Sequence, residues 1–238
     1  FSGAALPVPD TVIRIGTLYD TTGGLSAYAS GFQKAISMAF DDLNAMDDGY
    51  DFENIYADSG GANGPVATAG AQSLADANVV AVVGAAGSGA STAANAVLSA
   101  AGIPMISFAS TAPSLSDATA HPHFYRVVPS DAYQGDALAD VVSAAGYTNT
   151  AILSMTNAYG AGVGDAFAAA FNAKAGHQVC TRVAYDADAL TSAVVGDAVA
   201  AVATGDSDGN ACDSVLLASY SPDGAQMVGA LRLSGSMI

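Results

Sequence analysis

The chain has 238 residues, about half of them hydrophobic, with 22 acidic side chains against six basic ones and a formal net charge of −16. That length suits two α/β units better than one and carries enough apolar content to bury a core in each. The charge excludes a nucleic-acid partner, because gripping a phosphate backbone takes clustered Lys and Arg, and it reads as a well-solvated surface.

No apolar run approaches the roughly 18 residues needed to span a bilayer, so no direct membrane insertion is expected of this segment. Phe1-Ser2-Gly3-Ala4-Ala5 is neither a start methionine nor a signal peptide and reads as a processed end. The apolar run Val12 to Leu18 predicts a strand, followed by a helix from Gly31 to Ala45 with Ala35, Ile36, Ala39, Phe40 and Leu43 at helical spacing. A strand over Phe52 to Ala57 and a helix over Ala62 to Asp76 come next. Val79 to Val83 and Ile103 to Ser107 then read as strands separated by a small-residue helix that ends near Ala101.

After a short strand at His123 to Val127, Pro129-Ser130-Asp131 punctuates the chain, and Asp131 reads as the cap of a helix to Ala145. The alternation resumes with strands at Thr150 to Met155, Gln178 to Ala184 and Ser214 to Ala218. Helices are expected at Gly160 to Ala175, Ala189 to Ala203 and Asp223 to Leu233. This order predicts an α/β fold of two doubly wound parallel-sheet lobes, 1–128 and 129–238, joined by a hinge at Val128-Pro129. Gly235 reads as a helix C-cap and Ser236-Met237-Ile238 as a strand barely begun, so the second lobe is expected to be incomplete.

Two turns carry the chemistry. Gly84-Ala85-Ala86-Gly87-Ser88-Gly89 and Phe108-Ala109-Ser110-Thr111-Ala112-Pro113 each follow a strand and are expected to open a helix, which places both on one rim of a parallel sheet. Unpaired N–H groups at a helix start favour an anion, and Ser88 and Thr111 add hydroxyls there. Simple capping by the same two side chains is the competing reading. Tyr28, Tyr159 and Tyr220 fall at equivalent strand edges, where they could wall a pocket or merely pack.

Other chemistries fit poorly. The GxxGxG spacing after the third strand lacks the acid that would hold a dinucleotide ribose. Lys34 and Lys174 stand in no phosphate-loop context, and there is no GxSxG elbow for a serine hydrolase. His121 and His123 have no third metal ligand near them in sequence. Asp206-Ser207-Asp208-Gly209-Asn210 has its glycine too early for a calcium loop and Leu217 where the bidentate acid belongs. No enzyme activity and no cofactor are expected. Cys180 and Cys212 can bridge in an oxidising compartment or stay as two buried thiols.

Several segments together resemble the leucine/isoleucine/valine-binding family: Ile15-Gly16 with Thr22-Gly23, Asp42-Leu43-Asn44-Ala45, Val82-Val83-Gly84, and Gly102 to Ser107 with Ala109 to Pro113. Phe124-Tyr125-Arg126, Asp131 with Gln134-Gly135, and Asn157-Ala158-Tyr159-Gly160 extend the likeness over nearly the whole chain. The resemblance implies a type I periplasmic binding fold and a secreted, periplasmic or extracellular protein that captures a small carboxylate-bearing ligand for a membrane ABC permease. A ligand sensor of a receptor or regulator is the alternative. It implies a carboxylate clamp of Ser88, Ala109 and Thr111, with Ser110 beside them, and ligand-binding walls of Tyr28, Tyr159 and Tyr220. It also implies that the acid pairing an amino-acid ligand's ammonium lies past Met237, and that closure brings Tyr159 and Tyr220 over the guest.

Overall fold

The computed structural model describes residues 11–46, 49–61, 64–206 and 210–235. The strand expected to begin at Met237, the start of the second helix at Ala62 and the middle of the loop Asp206 to Asn210 lie outside them.

The chain alternates β1 (Thr11–Tyr19), α1 (Ala29–Asn44), β2 (Tyr50–Asp58), α2 (Gly64–Asp76), β3 (Ala81–Gly84), α3 (Ser88–Ala100), β4 (Met105–Ser107) and β5 (Phe124–Arg126). These five strands form one parallel sheet in the order β2-β1-β3-β4-β5. Its core lies against α2 and α3, where Leu18, Val82 and Met105 meet Ala71, Leu74, Ala94 and Leu98. The small residues of α2 and α3 let both helices sit close to the sheet, and a Cβ on Gly70 would run into the Asp58 carbonyl at 2.6 Å. Helix α1 buries none of its residues.

The second half runs α4 (Asp131–Ala144), β6 (Asn149–Met155), α5 (Ala158–Asn172), β7 (Gln178–Tyr185), α6 (Ser192–Thr204), β8 (Ser214–Ala218) and α7 (Ser221–Leu233). Its strands pair in parallel in the order β7-β6-β8. Strand β6 is buried along its whole length. Its alternating side chains feed two cores: Ala151, Leu153 and Met155 face α6 and α7, and Ile152 joins Phe167 and Phe171 on the α4–α5 side. The α/β class with helix-flanked parallel sheets is the predicted one.

Two local expectations are corrected. The turn after β4 opens no α-helix, only a 3-10 turn at Pro113–Ser116. Helix α4 is capped by Ser130, whose hydroxyl accepts the Ala132 N–H at 3.3 Å, and not by Asp131.

Cys180 of β7 and Cys212, just before β8, form a disulfide with 5.8 Å between their Cα atoms, joining positions 32 residues apart. In the chain-entropy account such a loop is worth about 3 to 4 kcal/mol. Replacing both cysteines by alanine should lower the unfolding free energy by that amount in a denaturant titration; an unchanged midpoint would mean the bridge adds nothing.

Candidate functional site

In an open α/β sheet the ligand crevice lies outside the strand C-termini, where the strand order reverses. The first sheet reverses between β1 and β3, and the second between β6 and β8. The loops leaving those strands carry Gly24, Ser88, Asn157 and Tyr220, and the two rims face each other. The Tyr28 hydroxyl lies 2.9 Å from the Ser221 hydroxyl at the start of α7, and a Cβ on Gly24 would touch the Tyr220 ring at 3.0 Å.

Between the rims lies a cavity of about 280 Å³ whose walls include Ser88, Ala109, Thr111, Gln134, Tyr159 and Tyr220. Ser88 is the first residue of α3 and does not cap it. Its Oγ instead accepts the N–H groups of Thr111 and Ala112, both at 3.2 Å. With both incoming bonds taken by the oxygen, the Ser88 hydroxyl proton is left to donate into the cavity. Thr111 does not cap a helix either; its hydroxyl donates to Asp131 Oδ2 at 2.8 Å. The capping reading therefore fails for both residues.

Asp131 is the residue that sequence reasoning missed as part of the site. It is fully buried, its N–H donates to the Thr111 carbonyl at 2.8 Å, and its second carboxylate oxygen, Oδ1, has no partner. Burial raises its pKa, against the lowering effects of the Thr111 hydroxyl and the Arg126 charge. Arg126 spends its guanidinium on the Ala112 carbonyl at 2.9 Å and the Ser116 hydroxyl at 2.5 Å, and so holds the loop more than the carboxylate. The cue available in the sequence was the Pro-Ser-Asp start of α4, where Ser130 alone accounts for the cap.

Tyr159 and Tyr220 stack at 5.7 Å with 12° between their planes, forming one wall. Burial raises both phenol pKa values, and the Asp131 charge adds to the shift in Tyr159, so both stay neutral hydrogen-bonding groups. Gln134 lines the same cavity as Tyr159. Two expected contributors are not brought to the cavity. Ser110 is fully buried and points inward, with its hydroxyl 2.8 Å from that of Ser91 and 3.1 Å from the Ala85 and Ala86 carbonyls. It fastens the two loops together. Tyr28 is 48% exposed and bonds Ser221 across the cleft, outside the walls of this cavity.

Among the described residues no group of three or more His, Cys, Asp or Glu is placed to hold a metal, and no helix is long and apolar enough to cross a membrane.

The sequence profile of the family described as the receptor family ligand binding region matches residues 32–217. Metabotropic glutamate receptor 6 of Oryctolagus cuniculus is 47% identical over 89 residues, a match that covers 37% of this chain and 10% of the receptor. An ABC transporter substrate-binding protein from Desulfitobacterium hafniense, solved in complex with Leu, is 27% identical with a TM-score of 0.60, covering 79% of this chain and 53% of that one. The branched-chain amino acid transporter substrate binding protein LivJ from Streptococcus pneumoniae, solved with isoleucine, has a TM-score of 0.75 at 24% identity. It covers 94% of this chain and 62% of its own, a likeness of fold. These family and fold neighbours are binding proteins and receptor domains, not enzymes.

Proposed function

We infer, for a chain that belongs to the receptor family of ligand binding regions, that it captures a small α-amino acid between its two sheets. The supporting observation is a cavity lined by Ser88, with a hydroxyl free to donate, and by Thr111, whose hydroxyl is bonded to Asp131, a carboxylate buried behind that wall with one oxygen unpartnered. A carboxylate guest takes the Ser88 proton, and the Thr111 N–H turns to it from a long 3.2 Å bond. An ammonium takes Asp131 Oδ1 and the lone pairs of the Thr111 hydroxyl, whose proton is already committed to Asp131. Tyr159 and Tyr220 cover the guest.

In this reading 1–128 and 129–238 act as lobes that close at a hinge, and the ligand is held by preorganised hydrogen bonds without covalent chemistry. The disulfide supports an extracytoplasmic location. Delivery to a membrane ABC permease is the first reading of the biological role, supported by the solute-binding proteins that share the fold. Sensing within a receptor is the second, favoured by the higher identity to metabotropic glutamate receptors.

A thermal-shift panel tests capture itself. A guest at a hundred times its dissociation constant adds about 2.7 kcal/mol to stability. α-Amino acids should raise the melting temperature, and the matching amines without a carboxylate and acids without an amine should raise it less at the same concentration. A panel in which no α-amino acid shifts the protein would remove the assignment.

A further inference from the structure

A second cavity, again of about 280 Å³, opens where the second sheet reverses, and it shares Tyr220 with the first. The two meet at Tyr220, and Gly24 lines the second from the opposite rim. Its walls are acidic. Asp186 and Asp188 follow β7, Asp223 lies in the first turn of α7, and no Lys, Arg or His lines it among the described residues. General surface acidity does not account for this: three of the 11 lining residues are Asp, against 22 acidic residues in a chain of 238.

Asp223 carries the argument beyond a cluster of charges. It is only 4% exposed, and among the described residues its carboxylate accepts one hydrogen bond, from the Tyr185 hydroxyl to Oδ2 at 2.6 Å. Its other oxygen is left for a guest in the cavity that it lines. Asp186 gives one oxygen to the Asp188 N–H at 3.0 Å, and both side chains stand exposed at the mouth. Asn157 and Gln226 add neutral amide oxygens that can accept hydrogen bonds. A buried carboxylate with an open oxygen, backed by two more at the entrance, is a receptor for a cation.

We propose that this cavity receives the protonated amine or guanidinium of the guest's side chain, so that the preferred ligands are basic α-amino acids. The inference rests on the head-group reading above, with the side chain of an α-amino acid anchored at Ser88 and Asp131 passing Tyr220, the residue both cavities share, to reach Asp223. The chain's net charge of −16 also attracts such a guest from solution.

Calorimetric titration of the full chain with lysine, arginine, norleucine and glutamate provides the test. Norleucine matches lysine closely in shape but lacks the side-chain charge. Lysine and arginine should bind about 10- to 100-fold tighter than norleucine, the range of a single charge-assisted hydrogen bond, with glutamate weakest. The exposed pair Asp186→Asn with Asp188→Asn leaves the buried Asp223–Tyr185 contact intact. It should narrow the lysine-to-norleucine ratio while norleucine keeps its affinity, and added salt should narrow that ratio in the wild type. Norleucine binding as tightly as lysine, or a double variant that weakens both equally, would overturn the proposal while leaving the head-group reading standing. Binding of none of the four would overturn both.

Discussion

Replacing Ser88 and Thr111 together by alanine should weaken α-amino acid binding by about 3 to 6 kcal/mol, or roughly 10²- to 10⁴-fold, from two hydrogen bonds to charged groups at about 1.5 to 3 kcal/mol each. The proton bookkeeping divides the loss. Ser88 Oγ already accepts two N–H groups, so its own proton is what a carboxylate loses in the variant. Thr111 donates to Asp131, so what its removal takes away is an acceptor for the ammonium and the bond that orients the acid. Each single variant should therefore discriminate. Ser88→Ala should weaken carboxylate-bearing guests with or without an amine, and Thr111→Ala should weaken mainly those that carry one. Calorimetry showing the double variant within about threefold of the wild type, a difference under 1 kcal/mol, would contradict the clamp.

The second large effect is Asp131→Asn. Removing one member of a desolvated charge pair costs about 3 to 5 kcal/mol, and the substitution keeps the shape of the side chain. Affinity for an α-amino acid should fall by that amount, while affinity for its desamino analogue stays unchanged or improves. The pH dependence follows from the same group. The free protein holds Asp131 above the ordinary carboxylate range because of burial. Its contribution to stability is thus full below the unfolded-state pKa and is lost as pH rises through the raised folded-state value. An ammonium needs the ionised form, so ligand affinity moves the other way, weakening as pH falls through that raised value with uptake of a proton by Asp131. In Asp131→Asn this part of the pH dependence should disappear. A variant with wild-type affinity and an unchanged pH profile would show that the cation sits elsewhere.

Much of this architecture was legible because it is local. Alternation of short apolar runs with small-residue helices yields parallel sheets whatever the strand order, and a Gly- or Ser-rich turn after each strand sets Ser88 and Thr111 on one rim. What escaped the sequence depends on partners distant along the chain. Asp131 looked like a cap because Pro129-Ser130-Asp131 is a good helix start; only the fold shows that Ser130 caps and that the carboxylate turns back to Thr111, 20 residues earlier. Ser110 sits between two cavity-lining neighbours in sequence, yet the tight loop aims it inward to Ser91, 19 residues away. Tyr28 reaches across 193 residues to Ser221, a contact that no local pattern encodes. The strand orders, which decide where the crevice opens, are likewise set by packing between helices and sheet and not by any single segment.

The most direct test of the central claim is an experimental structure of the protein with a bound α-amino acid, read at two contacts. The account predicts a ligand carboxylate oxygen within about 2.5 to 3.2 Å of the Ser88 hydroxyl and the Thr111 N–H, with the ammonium at a similar distance from Asp131 Oδ1. A ligand whose carboxylate lies away from Ser88, or whose ammonium leaves Asp131 Oδ1 unpartnered, would contradict it.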